Sequence, residues 1–144
     1  MVELVPYLPE HLLNVAVQPA QAWMRGGIDM DLAVTLGRSY RAASVVDGDR
    51  VLGCGGIELH WPGRGLVWSF VAGDIGARDF IRCHNLTRRF LTDANVKRLE
   101  AGVEVDFEAG HRWMKALGFY VETPCARAWQ AGGRDCTIYV KVAE

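Results

Sequence analysis

Two side chains in this sequence have the chemistry to accept a proton from a substrate. Glu58 lies between Ile57 and Leu59 in a strand-like run, and His111 lies in the stretch EVDFEAGHRWMKALGFYVET. A carboxylate or an imidazole beside a bound substrate can serve as a general base. Each residue also has a structural interpretation: Glu58 suits a solvent-facing strand position, which is the favoured reading, and His111 suits the exposed first turn of a helix. Both interpretations stay open.

The sequence does not predict a metal centre. The four histidines show no HxxxH spacing, and adjacent residues such as Cys83 and His84 are poorly placed to share one ion. The cysteines form no CxxC pair, and the N-terminus lacks a secretion signal. We therefore expect reduced thiols, buried as small apolar side chains in a cytoplasmic protein, at Cys54, Cys83, Cys125 and Cys136.

Composition points to a single globular domain over residues 1–144. Half of the residues are hydrophobic and the net charge is −1. A chain of this length buries roughly 70% of its unfolded surface, so it needs no disulfide or metal to fold. Near-neutral charge does not favour nucleic acid, and no apolar stretch is long enough to span a membrane. Either a monomer or a homodimer is compatible with these features.

The elements must be read from periodicity and turn signals. The N-terminal half predicts a first strand with Val2, Leu4 and Tyr7 directed inward, a helix in PEHLLNVAVQ, a possible further turn in AQAWMR, and a helix in DMDLAVTLGRSY. A meander of three antiparallel strands follows at roughly 40–46, 51–60 and 66–72, with a hairpin at Asp47-Gly48-Asp49. Glycines 53, 55 and 56 predict a bulge or a close backbone approach in the middle strand.

The C-terminal half predicts helix, strand, helix and two final strands. DFIRCHNLTRRFLTDA has helical spacing, and KRLEAGVEV alternates, with Leu99, Ala101, Val103 and Val105 on one face and Arg98, Glu100 and Glu104 on the other. In the stretch containing His111, Asp106 is the expected N-cap and Gly118 the expected left-handed terminator. The predicted fold class is therefore α+β, with about four helices and seven strands, in the order β, α, α, β, β, β, α, β, α, β, β.

This order, ending in HRWMKALGF before two strands, resembles the GNAT superfamily, the Gcn5-related N-acetyltransferases. WMKALGF takes the place of that family's LYxxLGF pattern. Trp68, the segment Arg88-Arg89-Phe90-Leu91 and the segment Arg112 to Phe119 are similar to small GNAT-like proteins of tailed bacteriophages, some of them linked to virion assembly. The resemblance implies a three-layer α/β/α fold around a mixed, mostly antiparallel seven-stranded sheet, which is splayed between the fourth and fifth strands.

The resemblance also implies a site for acetyl-CoA as co-substrate. The pantetheine arm would pair with the fourth strand at Phe70 and Val71, and the pyrophosphate would lie on amides at the start of the next helix. One register puts Asp79 and Ile81 at positions where the family has small residues. A shifted register forms the turn from Gly73, Ile75, Gly76, Ala77 and Arg78. An ordinary strand-to-helix loop capped by Asp74 or Asp79 is the alternative.

The side chains that the family uses for proton transfer are missing. Met114 stands where the family has a tyrosine acid, and the fourth strand has no carboxylate, so Glu58 and His111 are the candidate catalytic residues. Two functions follow from the resemblance. One is acyl-CoA-dependent transfer to an amine of a small molecule or protein. The other is a non-catalytic bacteriophage protein that acts in virion assembly or binds a host protein.

Overall fold

The computed structural model describes residues 1–16 and 28–144. Seven strands and four helices follow one another in the predicted order. Their bounds are β1 Val2–Pro6, α1 Pro9–Asn14, α2 Met30–Gly37, β2 Arg41–Asp47, β3 Arg50–Trp61, β4 Arg64–Val71, α3 Ala77–Asp93, β5 Arg98–Glu104, α4 Glu108–Ala116, β6 Tyr120–Gln130 and β7 Arg134–Val142. The possible helical turn in AQAWMR lies outside the described residues.

The strands form one mixed sheet in the order β1-β2-β3-β4-β5-β7-β6. β1 pairs with β2, β2 with β3, β5 with β7 and β6 with β7 in antiparallel fashion, whereas β4 pairs with β5 in parallel. The parallel ladder covers three residue pairs and ends at Leu66 and Glu100. This is the predicted parting of the fourth and fifth strands, so the predicted fold class is confirmed.

Backbone contacts group the chain into two units, of which the first comprises Met1–Leu59 and Val67–Asn95. Its part of the sheet buries apolar residues on both faces. On one face, Leu12 of α1 and Leu36 of α2 pack with Val46 and Phe70. On the other, Cys83 of α3 packs with Val45 and Leu52. Because neighbouring residues such as Val45 and Val46 serve opposite faces, this unit has three layers.

Close approach explains the glycines of β3. A Cβ added to Gly56 would lie 2.8 Å from the indole ring of Trp68 and 2.5 Å from the carbonyl oxygen of Arg41. The β2–β3 register also shifts between Val45 and Val46, which is the signature of a bulge. Glycine is therefore required where the Trp68 ring lies against the strand.

The second unit comprises His60–Leu66 and Val96–Glu144. α4 packs on β5, where a Cβ added to Gly110 would lie 2.8 Å from Val103. The predicted terminator of α4 is present: Gly118 has φ 90°, its amide bonds to the carbonyl of Lys115, and the amide of Phe119 bonds to that of Met114. These two bonds form a Schellman motif, which ends the helix and turns Phe119 into the core.

Five local predictions are wrong. Cys125, expected to be buried, is exposed on β6. Leu4 is 39% exposed because β1 is an edge strand, and Val105 is 43% exposed because it lies just beyond the end of β5. α4 starts after Phe107, and Asp106 does not cap it. Glu100, assigned to a polar face, is only 8% exposed because two arginines neutralise it, as described below. No helix in the described part of the chain is both long and apolar enough to cross a membrane.

Candidate functional site

The end of β4 and the start of α3 contain all the residues expected to contact the cofactor. Phe70, Val71 and Ala72 are buried, and the chain emerges at Gly73. The amide of Ala72 donates to the carbonyl of Leu52 (2.8 Å), and that of Gly73 donates to the carbonyl of Ala16 (2.8 Å). Gly73 therefore uses its own amide within the first unit, and the next free amides lie further along the chain.

Those free amides are at the N-terminus of α3. Gly76 is the residue before the helix, and it offers no side chain to bond the first amides. The amide of Phe80 closes the first turn on the Gly76 carbonyl (2.9 Å), and the amides of Ala77, Arg78 and Asp79 have no acceptor among the described residues. A Cβ added to Gly76 would meet nothing within 4 Å. The 17-residue helix therefore presents an open positive end to solvent, and such an end attracts anions.

The charges around this end are mixed. Asp74 accepts a hydrogen bond from the Arg50 guanidinium at 2.8 Å, so an arginine partly offsets its negative charge. Arg78 is exposed in the first turn. Ile81 is 59% exposed, but it lies one turn further along, beyond the free amides. At the observed start of α3, Gly76, Ala77 and Arg78 lie at the free amides, and both Asp79 and Ile81 lie within the helix.

The backbone of β4 alternates in direction. The carbonyls of Trp68 and Phe70 lie 2.9 Å from Cβ positions built on Gly55 and Gly53 of β3, and the amide of Ala72 bonds β3 as well. Because successive residues of a strand direct their amides to opposite sides, the amide of Val71 is directed away from β3. That is the side on which β4 is not paired beyond Leu66.

Glu58 is half-buried on β3, in the first unit. It follows Gly56 by two residues, so strand alternation puts its side chain on the face where the indole of Trp68 lies. That indole donates to Ser39 Oγ at 3.1 Å. The side-chain carboxylate of Glu58 makes no hydrogen bond or ion pair with any described residue.

His111 belongs to the second unit, and both of its ring nitrogens are engaged. Nε2 lies 2.8 Å from the carbonyl oxygen of Val105, and Nδ1 lies 2.7 Å from the hydroxyl of Tyr139. A carbonyl can only accept, so Nε2 carries the proton and Nδ1 accepts from Tyr139. Burial raises the pKa of the Tyr139 hydroxyl, which keeps it a donor. These bonds tie the start of α4 to β7 and to the end of β5.

Sequence reasoning missed Tyr139, which is 1% exposed. An alternating strand such as DCTIYVKVA gives no signal that one of its side chains meets a histidine 28 positions earlier. Met114, at the place of the family's tyrosine, is buried in the core at 7% exposure. The residues expected to contact the cofactor thus form one continuous segment of the first unit. Glu58 belongs to the same unit, and His111 belongs to the second.

Within residues 1–16 and 28–144, no group of three or more metal-ligating side chains comes together. The four cysteines are free thiols. Burial raises the pKa of Cys54 to about 12 and that of Cys83 to about 11. Neither thiol is a nucleophile at neutral pH, because the thiolate is the reactive form.

No family model matches the sequence, and no curated protein is detectably similar to it. Solved structures do match its fold. Ard1 from Thermoplasma volcanium superposes with a TM-score of 0.79 at 13% identity, over 99% of this chain and 98% of that one. An N-acetyltransferase from Staphylococcus aureus Mu50 has a TM-score of 0.74 at 13% identity, over 99% and 98% of the two chains. The fold is that of the GNAT acetyltransferases.

A third GNAT-fold structure is similar at somewhat lower score. The ribosomal-protein-S5-alanine acetyltransferase from Vibrio fischeri has a TM-score of 0.65 at 16% identity, over 98% of this chain and 91% of that one. All three identities are low, so the likeness is one of architecture. For this chain, the GNAT fold rests on the parted parallel pair β4–β5 and the helix α4 between β5 and β6.

Proposed function

We propose that this protein is an acyl-CoA-dependent N-acyltransferase that transfers an acetyl group to an amine of a small molecule or protein. The single observation that carries the proposal is the open N-terminus of α3, with unpaired amides at Ala77, Arg78 and Asp79 directly after β4. The pyrophosphate of CoA is the anion that this end suits, and the GNAT fold makes acyl transfer the reaction to test first.

The reaction would proceed by direct attack in a ternary complex. The amine nitrogen attacks the thioester carbonyl carbon, and the C–S bond breaks. CoA leaves as its thiolate and takes up a proton from water. Val71 supports the oxyanion best, because its amide is directed away from β3, whereas Phe70 is directed toward it. Phe70, whose backbone groups face β3, would then contribute only indirectly, by fixing β4 through its side chain in the apolar cluster.

For the proton of the amine, we propose Glu58 as the general base. Its carboxylate is half-buried and unpaired among the described residues, whereas the Nδ1 lone pair of His111 already accepts from Tyr139. His111 would act as a base only after that hydrogen bond opened. Water could protonate the thiolate in place of the side-chain acid that Met114 cannot supply.

Calorimetric titration with CoA tests the proposal. We expect saturable binding with one site per chain, and a melting temperature that rises with acetyl-CoA. Ligand at 100 times its dissociation constant would stabilise the protein by about 2.7 kcal/mol. Absence of heat and of a thermal shift at millimolar acetyl-CoA would end the transferase proposal.

The second candidate is a GNAT-fold protein without catalysis that binds a host or virion protein of a bacteriophage. The engaged ring of His111 and the buried Met114 favour it, since neither then supplies an acid or base. Trp61 and Trp129 are 57% and 45% exposed, and exposed tryptophans are common at binding surfaces. CoA binding without turnover of any amine would favour this candidate over the first.

Four further properties are proposals as well. We place the protein in the cytoplasm, as a single domain over residues 1–144, and as a monomer or homodimer that binds neither nucleic acid nor membranes. Light scattering of the purified chain would decide its oligomeric state.

A further inference from the structure

The exposed side of α3 carries a line of arginines. Arg78, Arg82, Asn85 and Arg89 follow one another at intervals of four, three and four residues and are all exposed. At 100° per residue, these four positions fall within one narrow stripe, opposite the buried Cys83 and Leu91. From the first to the last, the stripe extends about 16 Å along the helix axis. We refer to these four residues as the α3 stripe.

The stripe forms no ion pair within the described chain and is only weakly neutralised: the pKa of Asp47 is lowered mainly by its hydrogen bond to the N-terminal amine, with the charge of Arg82 as a further, minor cause. Six of the eight described arginines outside α3 have a partner: Arg41 lies over Phe90, Arg64 and Arg98 bond Glu100, and Arg50, Arg112 and Arg134 face Asp74, Glu108 and Glu104. The arginines of the stripe make no ion pair with any described residue. α3 has four arginines but only two aspartates and no glutamate, so it carries a net charge of +2 in a chain of net charge −1.

The arrangement costs helix stability. Arg78 and Arg82 are like charges at i and i+4, and Arg78 lies in the first turn of α3, where the helix dipole disfavours cations. Apart from the weak attraction between Arg82 and Asp47, nothing in the described packing compensates, because the stripe lies opposite the buried face of α3. A binding partner of opposite charge would offset this loss of helix stability. The stripe also extends well past the free amides at Ala77 to Asp79, which is further than one pyrophosphate requires.

We propose that the α3 stripe is a docking surface for an acidic polypeptide segment. Carboxylates at alternate positions of an extended strand recur every 6.6–6.8 Å, and those on one face of a helix recur every 5.4 Å, so either form can match arginines one turn apart. Arginine pairs bidentately with carboxylate. Nucleic acid is the less suitable partner, because the whole chain is not basic and Asp79 and Asp93 lie on the same helix.

The test uses fluorescence anisotropy at low salt with a labelled decaglutamate peptide and a single-stranded oligodeoxynucleotide of equal charge. The variant R82Q/R89Q removes two charges of the stripe and leaves Arg78 and the free amides in place. R112Q/R127Q is the matched control, since it removes two exposed arginines of the second unit. We expect the peptide to bind, the stripe variant to weaken it about tenfold, and the control to change it less than twofold.

Three outcomes overturn the proposal. The first is no binding of the peptide at low salt. The second is an equal loss in both variants, which would reflect net charge alone. The third is tighter binding of the oligonucleotide than of the peptide. None of these readouts uses acyl-CoA, so failure here is distinct from failure of the transferase proposal.

Discussion

Gly76 precedes α3 with φ −75° and ψ 161°, an extended conformation that any residue can adopt. Glycine is therefore not needed there for the backbone. Its effect is to leave the first amides of α3 uncapped and the space in front of them empty. A helix end that forgoes the usual Ser, Thr, Asp or Asn cap gives up stability, and ligand binding is a physical reason for it.

Substitution of Gly76 separates stability from binding. In Gly76→Asp the new carboxylate would accept bonds from the amides of Arg78 or Asp79, and it would stabilise the fold by about 0.5 kcal/mol. The same carboxylate would occupy and repel the anion site, so CoA affinity should fall by at least about tenfold. Urea unfolding and calorimetry measure the two effects.

Gly76→Asn provides the uncharged control, because asparagine caps as well as aspartate. It should also stabilise the protein, with a smaller loss of affinity. If both variants are more stable but bind CoA like the wild type, the pyrophosphate does not lie on these amides.

At the scale of elements, β4, β5 and β6 are linked by a charge cluster at the point where β4 parts from β5. Arg64 and Arg98 are register partners, and like charges directly opposite repel. Glu100 lies between them: it accepts from Arg64 Nε and, at 3.1 Å, from Arg64 Nη2, and from Arg98 Nε at 3.2 Å. Arg98 in turn donates to both carboxylate oxygens of Glu122. Because Glu100 offsets the repulsion between the two arginines, β4 and β5 can pair in the short parallel ladder.

Loss of this carboxylate should destabilise the protein. Hydrogen bonding to Arg64, with a further contribution from Arg98, lowers the pKa of Glu100 from its ordinary value. A lowered folded pKa means that the stabilisation is present above the unfolded pKa and is lost as pH falls through the folded pKa. Glu100→Gln should cost about 2 kcal/mol at pH 7, and the difference from wild type should shrink below about pH 4.

Glu122→Gln is the control in the same cluster. Glu122 is 44% exposed at its side chain, so its removal should cost less than about 1 kcal/mol. Urea denaturation of both variants between pH 3 and pH 7 measures this. A cost for Glu100→Gln that equals that of Glu122→Gln, or that does not vary with pH, would contradict the role given to Glu100.

At the scale of the whole molecule, strands are shared between the two units. Residues Arg64 to Leu66 of β4 belong to the second unit, and the rest of β4 belongs to the first. Each strand of the sheet is hydrogen-bonded to its neighbour from β1 to β6. We therefore predict a single cooperative unfolding transition for residues 1–144. Calorimetric and van't Hoff enthalpies should agree. Two resolved transitions, or tryptophan fluorescence and circular dichroism that do not coincide, would show two domains.

The sequence by itself determined the elements and their order. Periods of 2 and 3.6 residues, the Gly48 hairpin and the Gly118 terminator are local signals, and a local signal is legible without the rest of the chain. Resemblance to the GNAT pattern then supplied the sheet, with the parting of β4 from β5. Its elements correspond to those observed, apart from differences of a few residues at their ends.

Only the tertiary structure decided which side chains are available for chemistry. The alternation of β5 predicts a surface position for Glu100. In the structure Glu100 is buried, because Arg64 of β4 and Arg98 of β5 itself both pair with its carboxylate. The sequence gives no partner for the His111 imidazole, whereas in the structure Tyr139 of β7 forms a hydrogen bond with its Nδ1. Arg64 lies 36 positions from Glu100 and Tyr139 lies 28 positions from His111, and no pattern within one element records partners at such distances.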